Sequence, residues 1–152
     1  MQRVELTVIG RVQSPVTAQR DEGWGEVRTE IHLRPEYAPG LTGLEQFSHA
    51  LVITFLHEAA FDPGRHLVRR PRRLATMPEV GIFAQRAKDR PNPIGITAVT
   101  ILEVRGSILV VRGLDAIDGT PVLDIKPYYP HYDQVADARV PEWVSRLMAG
   151  YF

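Results

Sequence analysis

Ile94–Arg112 reads IGITAVTILEVRGSILVVR, two apolar runs rich in Val, Ile and Thr on either side of Arg105-Gly106. β-branched side chains are stiff at χ1 and pack well on a pleated surface, so each run is read as a strand. A glycine between two such runs reverses the chain; Ile94–Val104 and Ser107–Arg112 are read as a β-hairpin turning at Arg105-Gly106. Outward from this hairpin, period-two alternation at Val4, Leu6, Val8 and at Val27, Thr29, Ile31, Leu33 marks half-buried strands. Ala50–Leu56 (ALVITFL) is a buried run, and another strand follows the turn at Asp118-Gly119. Short strands divided by Gly and Pro turns, without helical stretches between them, predict a mainly β fold: a small antiparallel β-barrel with short helices. A parallel α/β sheet is disfavoured, and no glycine-rich strand-to-helix turn of the dinucleotide type is present.

Two helical pieces are expected. Leu41–Ser48 is a turn or short helix, and Pro141–Met148 is a C-terminal helix with proline in its first turn and Trp143/Leu147 and Val144/Met148 paired at i,i+4. Its apolar stripe, with Tyr151 and Phe152 beyond, must be covered by the core or by another subunit. Asp62–Arg73 is the one segment that reads as a long irregular loop.

A chain of 152 residues fits a single domain, residues 1–152, with one core. Hydrophobic residues make up 44% and charged residues 24%, and no apolar run is long enough for a membrane-spanning helix. The N-terminus lacks the apolar core of a signal peptide and the chain has no cysteine, so a cytoplasmic location is expected and thiolate metal sites are excluded. His32, His49, His57, His66 and His131 are scattered without the i,i+4 pairing of a zinc helix, so no metal is expected. Eighteen basic residues balance eighteen acidic ones, but eight basic residues fall between Arg65 and Arg90 against only Glu79 and Asp89. That local excess of +6 suits phosphate contact, or else a solvated arginine loop neutralised by nearby acids.

Two motifs carry the chemistry. In Gly81–Gly95 (GIFAQRAKDRPNPIG), Pro91 and Pro93 fix their own φ and push Arg90 and Asn92 into extended geometry, so Arg86, Lys88, Arg90 and Asn92 are aimed before any ligand arrives. In Gly113–Tyr128 (GLDAIDGTPVLDIKPY), Asp115, Asp118 and Asp124 crowd around the turn Asp118-Gly119-Thr120-Pro121, with Lys126 close by. Each segment alone is equally readable as a structural turn.

Read together, RPNPIG and DGTPVLDIKPY resemble the TsaA-like family of β-barrel S-adenosylmethionine-dependent tRNA methyltransferases. Further matching pieces are IGRVQSP (Ile9–Pro15), LTGLEQFSH (Leu41–His49), the apolar run ending at His57, and GIFAQR ending at Arg86. The chain is similar to the short form of the family, without the appended C-terminal domain that some members carry. It has Arg86-Ala87-Lys88-Asp89-Arg90 where tRNA-modifying members read Arg-Ser-Pro-Phe-Arg or similar. The resemblance implies S-adenosylmethionine as cofactor and N6-methylation of threonylcarbamoyladenosine beside the tRNA anticodon. It also implies a homodimer with the cofactor near the subunit boundary and tRNA contact through Arg65–Arg90.

Carried over residue by residue, the resemblance places Arg86 on a carboxylate or phosphate and Asp115 or Asp118 on the ribose or ammonium. Backbone around Ile96 and Gly119 falls on the adenine, with Asn92, Thr120, His57 and Glu58 joining the cofactor set. Glu22, Gly23 and Trp24 are added: Trp24 either lies on the adenine or sulfonium or caps the core. Asp118 is the expected general base with Lys126 orienting it, a role that requires burial or a like-charged neighbour to raise its basicity. The alternative is a non-catalytic β-barrel module that holds S-adenosylmethionine or RNA, since small barrels often bind oligonucleotides.

Overall fold

The computed structural model describes every residue, Met1–Phe152. Its strands are β1 (Gly10–Gln13), β2 (Arg28–Leu33), β3 (His49–Phe55), β4 (Val68–Arg69), β5 (Val80–Gly81), β6 (Ile94–Arg105), β7 (Ile108–Arg112) and β8 (Pro121–Pro127). Three short α-helices are added: α1 (Pro63–His66), α2 (Pro130–Asp133) and α3 (Glu142–Met148). Six strands close an antiparallel barrel in the order β1-β2-β7-β6-β3-β8, and β4 pairs with β5 outside it. No helix is long and apolar enough to cross a membrane.

Alternation decides the interior. Thr29, Ile31 and Leu33 of β2 point inward, as do Ala50, Val52 and Thr54 of β3. With Val12, Val99, Leu109, Val111 and Val122 they form a mostly aliphatic centre. A barrel of six strands curves tightly, and extra residues relieve the curvature where the register shifts between Ile101 and Glu103 on β6 and opposite Ile53/Thr54 on β3. The hairpin reverses at Gly106-Ser107, one residue later than expected, because Arg105 still pairs with Ile108 and Gly106 takes the positive φ.

Two expectations are corrected. Val4 and Leu6 belong to no strand and are 76% and 60% exposed; β1 starts at Gly10, the first residue to have partners on both β2 and β8. Asp62–Arg73 is ordered: it holds α1, β4 and a 3-10 turn over Pro71–Arg73.

β6 is shared. Its first half, Ile94–Thr100, pairs with β3, whereas β7 joins it only from Thr100 onward. The edge of Ile94–Val99 turned away from β3 therefore carries no strand. At this end of the barrel Gly113–Thr120 crosses from β7 to β8 as a plug, burying Leu114 and Ala116 in the main core and Ile117 against Trp24 and Val27. Residues 57–92 leave β3 and return to β6 at the same end, and the neck closes where Leu56 N–H donates to Pro93 O at 2.7 Å. Gly95 sits in this neck because a Cβ there would lie 2.7 Å from Thr54 Oγ1, on a buried side chain.

Candidate functional site

The unpaired edge of β6 is where the arginine of GIFAQR lands. Arg86 donates one guanidinium N–H to Ile96 O at 2.8 Å, which leaves most of its five donors free. One residue further along β6, Thr97 Oγ1 donates to Asp115, whose other oxygen accepts the Tyr151 hydroxyl at 2.5 Å. Tyr151 in turn packs against the Trp24 cluster, and Gly23 and Trp24 donate their backbone N–H groups to Gly150 and Tyr151. Arg86, Ile96, Asp115 and the Glu22–Trp24 loop, distant in sequence, are thus joined through Thr97 and Tyr151.

Burial and the Asp115 carboxylate push the Tyr151 phenol well above its ordinary range. The folded state therefore holds this proton more tightly than the unfolded chain, whose tyrosines ionise near pH 10. The stabilisation is present below that pH and is lost as pH rises above it. Tyr151→Phe is expected to lower stability by about 1.5–3 kcal/mol at neutral pH, as for a hydrogen bond to a charged group. It should also flatten the alkaline decline of stability; urea unfolding at a series of pH values measures both.

The Asp118-Gly119-Thr120 turn is satisfied internally. Asp118 Oδ1 accepts from Ser14 N–H at 3.0 Å, Gly119 donates to Val12 O and accepts from Arg11, and the buried Thr120 hydroxyl donates to Ile117 O at 2.6 Å. Gly119, at φ 82°, supplies the left-handed turn that the loop needs. These bonds hold the plug to β1 and use only Oδ1 of the exposed Asp118 carboxylate. Lys126 does not orient Asp118. It lies near the far end of β8, on Asp124 at 2.9 Å, and Asp118 is exposed.

Trp24 is 1% exposed, with Nε1 donating to Arg20 O at 3.0 Å. It caps the core and has no face left for an adenine ring, so the packing alternative is the one realised. Glu22, His57, Glu58 and Asn92 lie at the same end of the barrel, His57 and Glu58 just beyond β3 and Asn92 in the turn before β6. Tyr151 and Thr97 went unrecognised in the sequence because a terminal aromatic and a strand threonine carry no local mark of a shared carboxylate.

The basic segment divides. Lys88 and Arg69 face Asp89 at 2.9 and 3.9 Å, and Arg72 faces Asp21 at 3.4 Å while lying over the Tyr151 ring. Arg70, Arg86 and Arg90 end on backbone carbonyls, and no carboxylate pairs with these three or with Arg65 and Arg73. No group of three or more His, Asp or Glu side chains is arranged to hold a metal ion. A cavity of about 580 Å³ opens at the other end of the barrel between Tyr37, Phe47 and Asp124, and none of the expected site residues lines it.

A protein of Methanothermobacter thermautotrophicus described as a probable S-adenosyl-L-methionine-binding protein is 42% identical over 136 residues, covering 87% of this chain and 95% of its own length. The tRNA (adenine(37)-N6)-methyltransferase of Escherichia coli is 42% identical over 115 residues, 72% of this chain but 48% of its own. A crystal structure of TrmO from P. aeruginosa superposes with a TM-score of 0.77 at 31% identity, covering 94% of this chain and 62% of the other. The chain therefore spans nearly all of the archaeal relative and about half to two-thirds of these longer proteins. Residues 13–134 match the family described as the tRNA-methyltransferase O N-terminal domain, and the chain belongs to that family.

Proposed function

We propose that this protein is an S-adenosylmethionine-dependent methyltransferase that acts on tRNA, placing a methyl group on N6 of threonylcarbamoyladenosine beside the anticodon. The observation that carries the reading is the juxtaposition of Arg86, with spare donors, and Asp115, with both oxygens anchored, along the strand-free edge of β6. The residues suit this cofactor: the guanidinium fork matches its carboxylate, Asp115 its hydroxyl or ammonium donors, and the exposed side chains of Ile94 and Ile96 a flat apolar ring. Bound there, S-adenosylmethionine supplies an activated methyl group. Asn92, His57, Glu58 and Glu22 stand around the same end and complete the proposed pocket.

With Lys126 held on Asp124, the protein's contribution rests chiefly on alignment and water exclusion, which can account for much of the acceleration, and Asp118 stays the candidate to take the proton of N6.

A homodimer belongs to the same proposal. The outward side chains of β3 and β6 meet as cross-strand pairs, Leu51 with Ala98, Ile53 with Ile96 and Phe55 with Ile94. Phe55, Ile94 and Ile96 are 40–47% exposed, a contiguous apolar face suited to a second copy. Ile96 belongs to both this face and the Arg86 contact, so the cofactor would lie at the subunit boundary.

The test is direct. Calorimetry should show S-adenosylmethionine binding to the purified protein, and nucleoside mass spectrometry of tRNA from cells lacking it should show loss of the methyl mark on threonylcarbamoyladenosine. Binding without any missing mark would favour the non-catalytic module, and a monomer with full activity in light scattering would remove the dimer.

A further inference from the structure

Phe83 is 82% exposed, and no aromatic ring pairs with it. Its backbone gives it no freedom to turn inward. On one side Ile82 is buried and donates its N–H to Leu67 O at 2.9 Å; on the other, the buried Gln85 carboxamide donates to Arg69 O and Val80 O at 3.0 and 2.9 Å. The 3-10 turn Ile82–Ala84 is thereby pegged at both ends, and the ring between the pegs is held in solvent. Arg86 comes next after Gln85 and reaches Ile96 O, so the ring stands a few residues from the proposed cofactor pocket. Leu67 and Val68, which lie alongside through the Leu67–Ile82 bond and the Val68/Gly81 pair, are 44% and 63% exposed and extend the apolar surface.

Charge selects the occupant. Residues 57–92 carry eight basic side chains against four acidic ones, and Arg65, Arg70, Arg73, Arg86 and Arg90 have no carboxylate partner. A second copy of this segment would bring like charges together, whereas a phosphate backbone is attracted. A rigidly mounted aromatic ring on the segment that carries Arg65, Arg70, Arg73 and Arg90 is the combination that holds single-stranded nucleic acid, the ring taking a base face and these arginines the phosphates.

We propose that Phe83 stacks on an unpaired base of the RNA acceptor next to the nucleotide that receives the methyl group, an inference that rests on the tRNA reading above. Phe83→Ala should raise the KM for bulk tRNA by about tenfold, the scale of one lost base stack, with kcat and S-adenosylmethionine affinity changed by less than about twofold. The Kd for a fluorescein-labelled RNA stem–loop should rise equally, while a fully paired duplex should not respond. Phe83→Trp should restore both values. Tyr132→Ala removes a ring that is 85% exposed near the other end of the barrel and should change neither.

Wild-type RNA affinity in Phe83→Leu would show apolar contact without stacking and overturn the proposal. So would a lowered mass of Phe83→Ala in light scattering with its RNA affinity intact, since a second copy would then be the occupant. If the unaltered protein binds the stem–loop through Phe83 but transfers no methyl group, stacking stands and the methyltransferase reading falls. Methyl transfer with an unchanged KM in Phe83→Ala does the opposite: the methyltransferase reading stands and the stacking role falls.

Discussion

Arg86→Ala is expected to weaken S-adenosylmethionine binding by about thirtyfold or more, on the order of 2–5 kcal/mol for truncating one side of a hydrogen-bonded charge pair. The fork has a single internal bond, to Ile96 O, so its remaining donors are free for a ligand. Losing them removes the carboxylate's partner and leaves a carbonyl on the strand-free edge of β6 to be hydrated. Arg86→Lys keeps the charge but not the planar fork, and it should recover only part of the affinity. Titration calorimetry gives both numbers, and circular dichroism shows whether the barrel stays folded. Unchanged affinity in Arg86→Ala would remove this residue from the pocket.

The second large effect is on stability, at Asp89. Its side chain is 13% exposed; one oxygen accepts Ala60 N–H and Lys88 Nζ at 2.9 Å each, and the other faces Arg69 and His66 at 3.9 and 4.0 Å. His66 is itself buried and accepts Asp62 N–H through Nδ1, which leaves the Nε2 edge toward Asp89. Asp89→Ala strands a lysine, an arginine and an amide around an empty position. Removing one partner from such a cluster is expected to cost about 3 kcal/mol or more, read as a lowered urea midpoint. The loss should concentrate in residues 57–92, where Met77 and Ile82 are the main buried aliphatic side chains, and hydrogen exchange at the Ala60 amide should accelerate most.

Acid should act through the same carboxylate. Burial raises the Asp89 pKa, but the Ala60 N–H, Lys88 and His66 more than offset it and hold the group below the usual aspartate range. An aspartate in the unfolded chain ionises near pH 3.9. The contribution of Asp89 is therefore present above that pH and is lost as pH falls through the lower, folded value. Asp89→Asn should remove this acid-side dependence.

The barrel was readable because its strands announce their inner face. Thr29, Ile31 and Leu33 alternate with Arg28, Glu30 and His32, and the hairpin is two β-branched runs about one glycine. The same alternation at Val4, Leu6 and Val8 misled, since periodicity records a willingness to pair and says nothing of whether a partner strand is within reach. Asp62–Arg73 looked irregular because what orders it is remote: Gln85 bonds Arg69 O across sixteen residues and Ala60 bonds Asp89 across twenty-nine.

At the site, the prolines of RPNPIG advertised a rigid approach to β6, and Arg86 and Ile96 do meet there. Composition around Asp118, Gly119 and Thr120 advertised a ligand equally loudly, and there Ser14, Val12, Arg11 and Ile117 take up much of the turn's bonding while one oxygen of Asp118 stays open. Only a closed barrel shows which polar turn has bonds to spare. The Tyr151–Asp115 bond joins positions thirty-six residues apart and had no trace in either neighbourhood.

Leu56 and Pro93 clasp the neck of the 57–92 excursion with one hydrogen bond between adjacent strands. Both feet of the segment stand side by side, so a change of its length is absorbed outside the barrel without altering how the six strands meet. Arg86 is where the excursion is tied back to the strand edge, so whatever the outer loop grasps is held at a fixed distance from that edge.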